Sequence, residues 1–140
     1  MNHCREVVIK MEFKVNKIAY EKEDIIVTGK TEIGELKGIW RYKEAPVKNQ
    51  NYHVRLSYNR LEKKISKYSG KKLSVLVHGK INTFYGEIDG MDEEIFCVRF
   101  TKDWIDMVRI DDASAGLVMG DYISYSVKYN DIEIFPFDLI

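Results

Sequence analysis

Residues 7–20, VVIKMEFKVNKIAY, alternate strictly at their start: Val7, Ile9, Met11, Phe13 and Val15 fall on one side, Lys10, Glu12, Lys14 and Asn16 on the other. A period of two over that length is a half-buried β-strand, because successive side chains of a strand point to opposite faces. After Asn16 and Lys17 the pattern slips, and Ile18 and Tyr20 carry the apolar side on one step out of phase. One extra residue in a β-bulge produces that slip.

The same period recurs on both sides of the middle of the chain. In NYHVRLSYN, 51–59, Tyr52, Val54, Leu56 and Tyr58 oppose His53, Arg55 and Ser57; in DYISYSVKY, 121–129, Ile123, Tyr125 and Val127 oppose Ser124, Ser126 and Lys128. Shorter β-rich runs occur at DIIV, LKGIWRY, LSVLV, EIFCVRF, MVRI and DIEIF, each bounded by Gly, Asn or Asp, for about ten short strands in all. Gly and Asp cluster between the runs, where hairpin connections visit positive φ. Pro46 lies between runs and Pro136 near the last one, where an edge or terminal position tolerates the missing N–H. Strands at this spacing without intervening helices predict an all-β, mainly antiparallel fold: a small barrel or sandwich, OB-like or SH3-like in character.

One segment departs from the pattern. In NRLEKKISKYSGKK, 59–72, Asn59 and Glu62 have N-capping spacing, Leu61, Ile65 and Tyr68 fall on one helical stripe, and Gly70 stands where a helix would stop. A short helix over 59–69 is expected, with Arg60, Lys63, Lys64 and Lys67 on its solvent face. VTGK at 27–30 recurs as VHGK at 77–80, and GELKG at 34–38 as GEIDG at 86–90; one duplicated hairpin would give this, but Gly at turns and Val in strands are what any two hairpins share, and duplication is not the favoured reading.

The 140 residues suit a single domain over 1–140, since a chain of about 150 residues buries roughly 70% of its unfolded surface. With 45% apolar and 31% charged residues the composition lies far from the disordered class. No run approaches a membrane span, and Arg5 and Glu6 interrupt any secretory signal, so a cytoplasmic protein without membrane contact is expected. The two cysteines, Cys4 and Cys97, are then expected as free thiols.

Net charge is zero overall but uneven along the chain. Residues 1–72 hold 17 Lys and Arg against 9 Asp and Glu, and residues 73–140 hold 5 against 13. Such a split either cancels between neighbouring strands or survives as faces that steer a complementary partner.

The residue types needed for catalysis do not converge. His3, His53 and His78 are isolated and the cysteines have no zinc spacing, so neither a metal nor a cofactor is implied. The acidic run at 89–94 lacks the ligand spacing of a calcium loop, DASAG at 112–116 lacks the glycine that precedes a nucleophile elbow, and no phosphate-cradling glycine motif is present. Asp24, Glu35 and Lys37 resemble the acid, acid, lysine set of metal-dependent nucleases of the restriction-enzyme type. Glu-x-Lys recurs at 12–14 and 62–64, which makes the pattern cheap, and an enzyme is not the favoured reading.

The closing stretch GDYISYSVKYNDIEIFPFDLI, 120–140, resembles the final hairpin of OB-like and TOBE-like modules, but carries no ligand-binding motif. The aromatics Trp40, Phe84, Phe96, Phe100 and Trp104 are expected in the core, with Tyr85, Tyr122 and Tyr129 keeping an exposed edge. The expected function is non-catalytic protein binding, in the manner of a bacterial immunity protein that occludes a basic nuclease toxin. Asp89, Asp92, Glu93, Glu94, Asp103, Asp106, Asp111 and Asp112 would supply the acidic face, and Tyr85 and Tyr122 the anchors. The alternative is an OB-like nucleic-acid or oligosaccharide binder, with Arg55, Arg60, Lys63, Lys64, Lys67, Lys71 and Lys72 on the anion.

Overall fold

The long first strand bends where the alternation slips. In a computed structural model, which describes residues 8–58, 65–93, 95–109 and 116–139, β1 (Val8–Glu21) pairs with β2 (Asp24–Thr31), and their register shifts between Val15 and Lys17, leaving Asn16 as the extra residue. The bulge lets one strand serve two neighbours. Before it, Lys10 to Lys14 pair with β4 (Asn51–Tyr58); beyond it, Lys17 to Glu21 run along β2. Ile18 stays partly buried against the core, but Tyr20, expected on the apolar side, is 70% exposed near the strand's end.

β2 turns into β3 (Gly34–Trp40), β3 pairs parallel with the last strand β11 (Ile132–Leu139), and β11 pairs antiparallel with β4. The circuit β1-β2-β3-β11-β4 closes on β1, giving a five-stranded barrel whose single parallel contact is β3–β11. This is the circuit of an OB-type barrel. Of the barrel and the sandwich that the alternation allows, the chain forms the barrel, with extra strands.

Between β4 and β11 the chain builds a second sheet. β7 (Ile81–Met91) pairs with β6 (Ser74–His78) and β10 (Tyr122–Lys128) along its first half and with β8 (Ile95–Thr101) along its second; β9 (Trp104–Arg109) follows β8, and β5 (Ser66–Lys67) adds to β10. The sheet is tied to the barrel at β9 on β1 and at β6 on β3. A third tie is made by a side chain: the Asn82 amide accepts from Lys37 N at 2.8 Å and donates to Lys37 O at 2.9 Å, as a neighbouring strand would. Asn82 is fully buried and Lys37 half-buried, so both bonds are partly shielded from competing water.

One apolar cluster runs through both parts. Phe13, Val15, Leu36, Val54, Ile132 and Ile134 fill the barrel, while Phe84, Phe100, Trp104 and Tyr125 pack ring against ring under the second sheet, with centroids 5.3 to 6.1 Å apart. At Gly86 a Cβ would lie 2.5 Å from Val98 Cγ1 and 2.7 Å from Phe100 Cε1, so only glycine fits over these side chains. All five aromatics assigned to the core are buried; Tyr129, expected to keep an exposed edge, is buried too, against Ile26 and Ile39.

Two further expectations are revised, and the disfavoured duplication gains no support. The helix expected over 59–69 lies outside the described residues at 59–64, and its second half is extended, with Ser66 and Lys67 paired to Ser124 and Ile123. A strand edge offers the Ser66–Lys67 backbone partners that an isolated helical turn lacks. Cys97 is disulfide-bonded rather than a free thiol, and Cys4 lies outside the described residues. Structural disulfides persist in oxidising compartments, so cysteine use no longer argues for a reducing one. Finally, the two similar hairpins are not in equivalent register: Gly29 lies inside β2 against the Phe13 ring, whereas Gly79 lies in the β6–β7 turn with φ +61. Among the described residues no helix is long and apolar enough to cross a membrane.

Candidate functional site

Near the end of β11 the ladder breaks. Phe135 faces Arg55 and Pro136 faces Val54, but the next paired residue is Asp138, opposite His53, which leaves Phe137 as the extra residue of a bulge. Pro136 has no N–H to give the ladder, and pairing resumes one step later. The consequence is an outward-turned aromatic: Phe137 is 47% exposed, and Phe135 beside it is also exposed. His53 stacks on Phe137 at 5.9 Å and 19°, and the Arg55 guanidinium carbon lies 5.0 Å from the ring centroid.

Phe137 forms part of the wall of two concavities. The first, of about 330 Å³, lies between the end of β11 and the loop 41–50, lined by Tyr42, Glu44, Ala45, Val47, Gln50, Tyr52, Pro136 and Asp138 as well as Phe137. The second, of about 290 Å³, is lined by Lys10, Met11, Glu12, Glu32, His53 and Asp103 with Phe137. Their walls together hold five carboxylates, Glu12, Glu32, Glu44, Asp103 and Asp138, against one lysine and one histidine. Glu32, Glu44 and Asp103 form no ion pair among the described residues; Glu12 and Asp138 lie 3.9 and 3.7 Å from the His53 ring nitrogens.

The loop wall is held in place from below. The Trp40 indole donates to Glu44 O at 2.8 Å and packs edge-on against Tyr52 at 5.0 Å and Tyr42 at 6.5 Å. Val47 N donates to the Tyr52 hydroxyl at 3.2 Å, and Asn49, with φ 71, donates to Val15 O at 2.7 Å. A wall fixed before binding has less entropy to lose when a ligand arrives.

The residues singled out in the sequence are distributed differently. Asp89 and Glu87 both face Arg99, Asp121 faces Lys67 at 3.8 Å, and Asp106 is buried at 2% exposure, where it accepts from the buried Tyr125 hydroxyl at 2.7 Å. Asp106 is thus a core residue, not a steering charge. Asp92 and Glu93 lie in the β7–β8 connection and Asp103 in the β8–β9 turn, at opposite ends of β8 and roughly 20 Å apart. Glu94, Asp111 and Asp112 fall outside the described residues, as do Arg60, Lys63 and Lys64. Tyr85 is half-buried and packs on Tyr68 at 4.7 Å; Tyr122 is half-buried opposite Glu87.

The charge split resolves in the same way. Residues 59–72 hold six Lys and Arg and one Glu, residues 73–131 hold five against eleven, and the remaining residues, 1–58 with 132–140, hold eleven against ten. Of the basic stretch, Lys67 is paired to the acidic sheet at β10 and lies 3.8 Å from Asp121. Of the other candidate anion contacts, Arg55 lies in the barrel wall, Lys67 on the β5 edge, and Lys71 and Lys72 in the exposed approach to β6.

The nuclease-like residues do not assemble. Glu35 pairs with Lys30, six positions along β2 from Asp24, a separation of roughly 20 Å. Asp24 is held by Arg41 at 3.3 Å, and the Lys37 ammonium lies 4.9 Å from the Tyr129 ring centroid and donates to Gly79 O. Arg41 also bonds Glu133 at 2.6 Å, which with Asp24 raises its pKa; the bond from the Tyr129 hydroxyl to Glu21 raises that phenol's pKa. Among the described residues no group of three or more His, Cys, Asp or Glu is placed to hold a metal ion.

Sequence reasoning missed Glu12, Glu32, Glu44, Asp138 and Phe137. The available signal was the F-P-F of residues 135–137, a proline between two aromatics in a terminal strand. No family model, no curated protein and no solved structure matches the chain.

Proposed function

We propose that this chain is a non-catalytic protein-binding module that docks a basic partner on the barrel wall around Phe137. The observation that carries the reading is an exposed aromatic between two concavities whose walls hold five carboxylates against one lysine and one histidine, with Arg55 over the ring as the other nearby cation. Exposed rings supply the desolvated anchors of an interface, and surrounding charge of one sign speeds encounter with the opposite sign. Occlusion of a basic nuclease toxin by a bacterial inhibitor is the specific form of this function that we favour, with the acidic surface on the barrel wall rather than on residues 89–112.

Nucleic acid is the second reading, because Arg55 and Phe137 together offer a cation beside a stacking ring. Two features weigh against it. The surrounding carboxylates repel phosphates, and the β2–β3 face that OB-type barrels use for oligonucleotides and oligosaccharides is covered in part by Tyr129, which buries Ile26 and Ile39.

The test is capture from native lysate with the purified chain as bait, washed at low and at high salt. Retention of one protein in near-equal amount is expected. Recovery of nucleic acid that is lost at high salt would replace this reading with the second.

A further inference from the structure

The larger of the two concavities has an unusual pairing of wall chemistries. Tyr42, Tyr52 and Phe137 present rings, Glu44 and Asp138 present carboxylates, and no lysine or arginine lines it. Resting on the docking reading above, we propose that this pocket takes an arginine side chain of the partner protein.

Each possible occupant meets the same walls. An apolar side chain would bury the Glu44 carboxylate, which has no ion pair among the described residues, and that is costly. A phosphate would face two like charges. A lysine ammonium would satisfy the charge, but it is a compact, strongly hydrated ion that gains little from flat walls. A guanidinium is planar and weakly hydrated, stacks on aromatic faces, and gives paired N–H donors to carboxylate oxygens. Its alkyl stem can lie along the exposed side of Phe137.

Two sources could supply a guanidinium: a protein side chain or a free small molecule. The second concavity across Phe137, with Glu12, Glu32 and Asp103, continues the acidic surface beyond the reach of one small ligand. That continuity selects a protein.

Trp40 makes the pocket observable, because its indole N–H is bonded to the Glu44 carbonyl, whereas Trp104 lies in the common core beside Phe84 and Phe100. The experiment titrates the isotopically labelled full chain with a capped arginine-containing peptide, its lysine and citrulline counterparts, and arginine amide, following the two indole signals. The arginine peptide is expected to move the Trp40 signal and the amides of residues 42–50, with Trp104 still. The lysine peptide should bind more weakly and the citrulline peptide should leave the signals in place. Glu44→Gln and Asp138→Asn should each weaken the arginine peptide about tenfold or more, the range for a lost hydrogen bond to a charged group.

Equal binding of the citrulline peptide would overturn the inference, as would shifts confined to Asp92 and Glu93. Arginine amide binding as tightly as the peptide would overturn the protein source. Silence in every titration, with capture of a protein that Phe137→Asp abolishes, would overturn the arginine assignment while leaving the docking reading intact.

Discussion

The outer face of β7–β8 and the wall beside β4–β11 both carry carboxylates and aromatics, yet the two differ in what those groups face. On β7–β8, Arg99 takes up Glu87 and Asp89, and Tyr85 packs on Tyr68. Beside β4–β11, Glu44 in the loop 41–50 and Glu32 in the β2–β3 turn have no ion pair among the described residues, and the bulge after Pro136 turns Phe137 outward, although Glu133 is held by Arg41 and Asp138 faces His53. The lesson is that counting carboxylates along a chain does not locate an acidic surface. What decides is whether the register places a cation opposite each one.

That contrast can be broken at several points, with effects of decreasing size. Asn82→Ala removes one of the three ties between the two regions and leaves the half-buried Lys37 N–H and C=O without their partner. A loss of about 3 kcal/mol in chemical denaturation is expected. A loss under about 0.5 kcal/mol would mean that the sheet is held by its other ties alone. Asp106→Ala should cost about 2 kcal/mol, since the buried Tyr125 hydroxyl loses its acceptor, whereas Asp103→Asn at the surface should stay within about 0.5 kcal/mol. Equal effects of the two would return Asp106 to the list of surface charges. Arg99→Ala should cost less than about 1 kcal/mol because its partners are partly solvated, and should leave Glu87 and Asp89 unpaired on that face. It sharpens the contrast by giving β7–β8 carboxylates without an ion pair, a state that Glu32, Glu44 and Asp103 already have among the described residues, and salt should reduce its effect.

The smallest effect is confined to alkaline pH. The Tyr129 phenol is held above its ordinary value of about 10 by its bond to Glu21, so its contribution is full below that value and is lost as pH rises through the higher folded one. Tyr129→Phe should therefore flatten the stability profile in the alkaline range and leave it unchanged in shape at neutral pH. A profile that keeps its alkaline slope would assign the slope to another group.

Much of the barrel was legible because its inward positions are large and apolar. Met11, Phe13 and Val15 state the period of β1, and the slip at Asn16 marks its bulge. The longest strand of the second sheet was hidden for the opposite reason. β7 faces the interior with Asn82, Phe84, Gly86 and Ile88, and two of those four give no apolar signal. Asn82 is there to bond a strand edge and Gly86 because Val98 and Phe100 leave no room, and both reasons depend on neighbours distant in sequence. The docking wall was illegible in the same sense: Glu12, Glu32, Glu44, Asp103 and Asp138 come from separate stretches, four of them within β1–β11 segments of the barrel or its loops, and only closure of the barrel brings them together.

The most direct test sets the two faces against each other in one capture experiment, with Phe137→Asp altering the barrel wall and the triple change Asp89→Asn, Asp92→Asn, Glu93→Gln altering the sheet. Each protein is first checked for an unchanged denaturation midpoint. The account predicts that the wild type and the triple variant retain the same partner and that Phe137→Asp loses it. Retention by Phe137→Asp with loss from the triple variant would contradict it and place the docking surface on the β7–β8 hairpin.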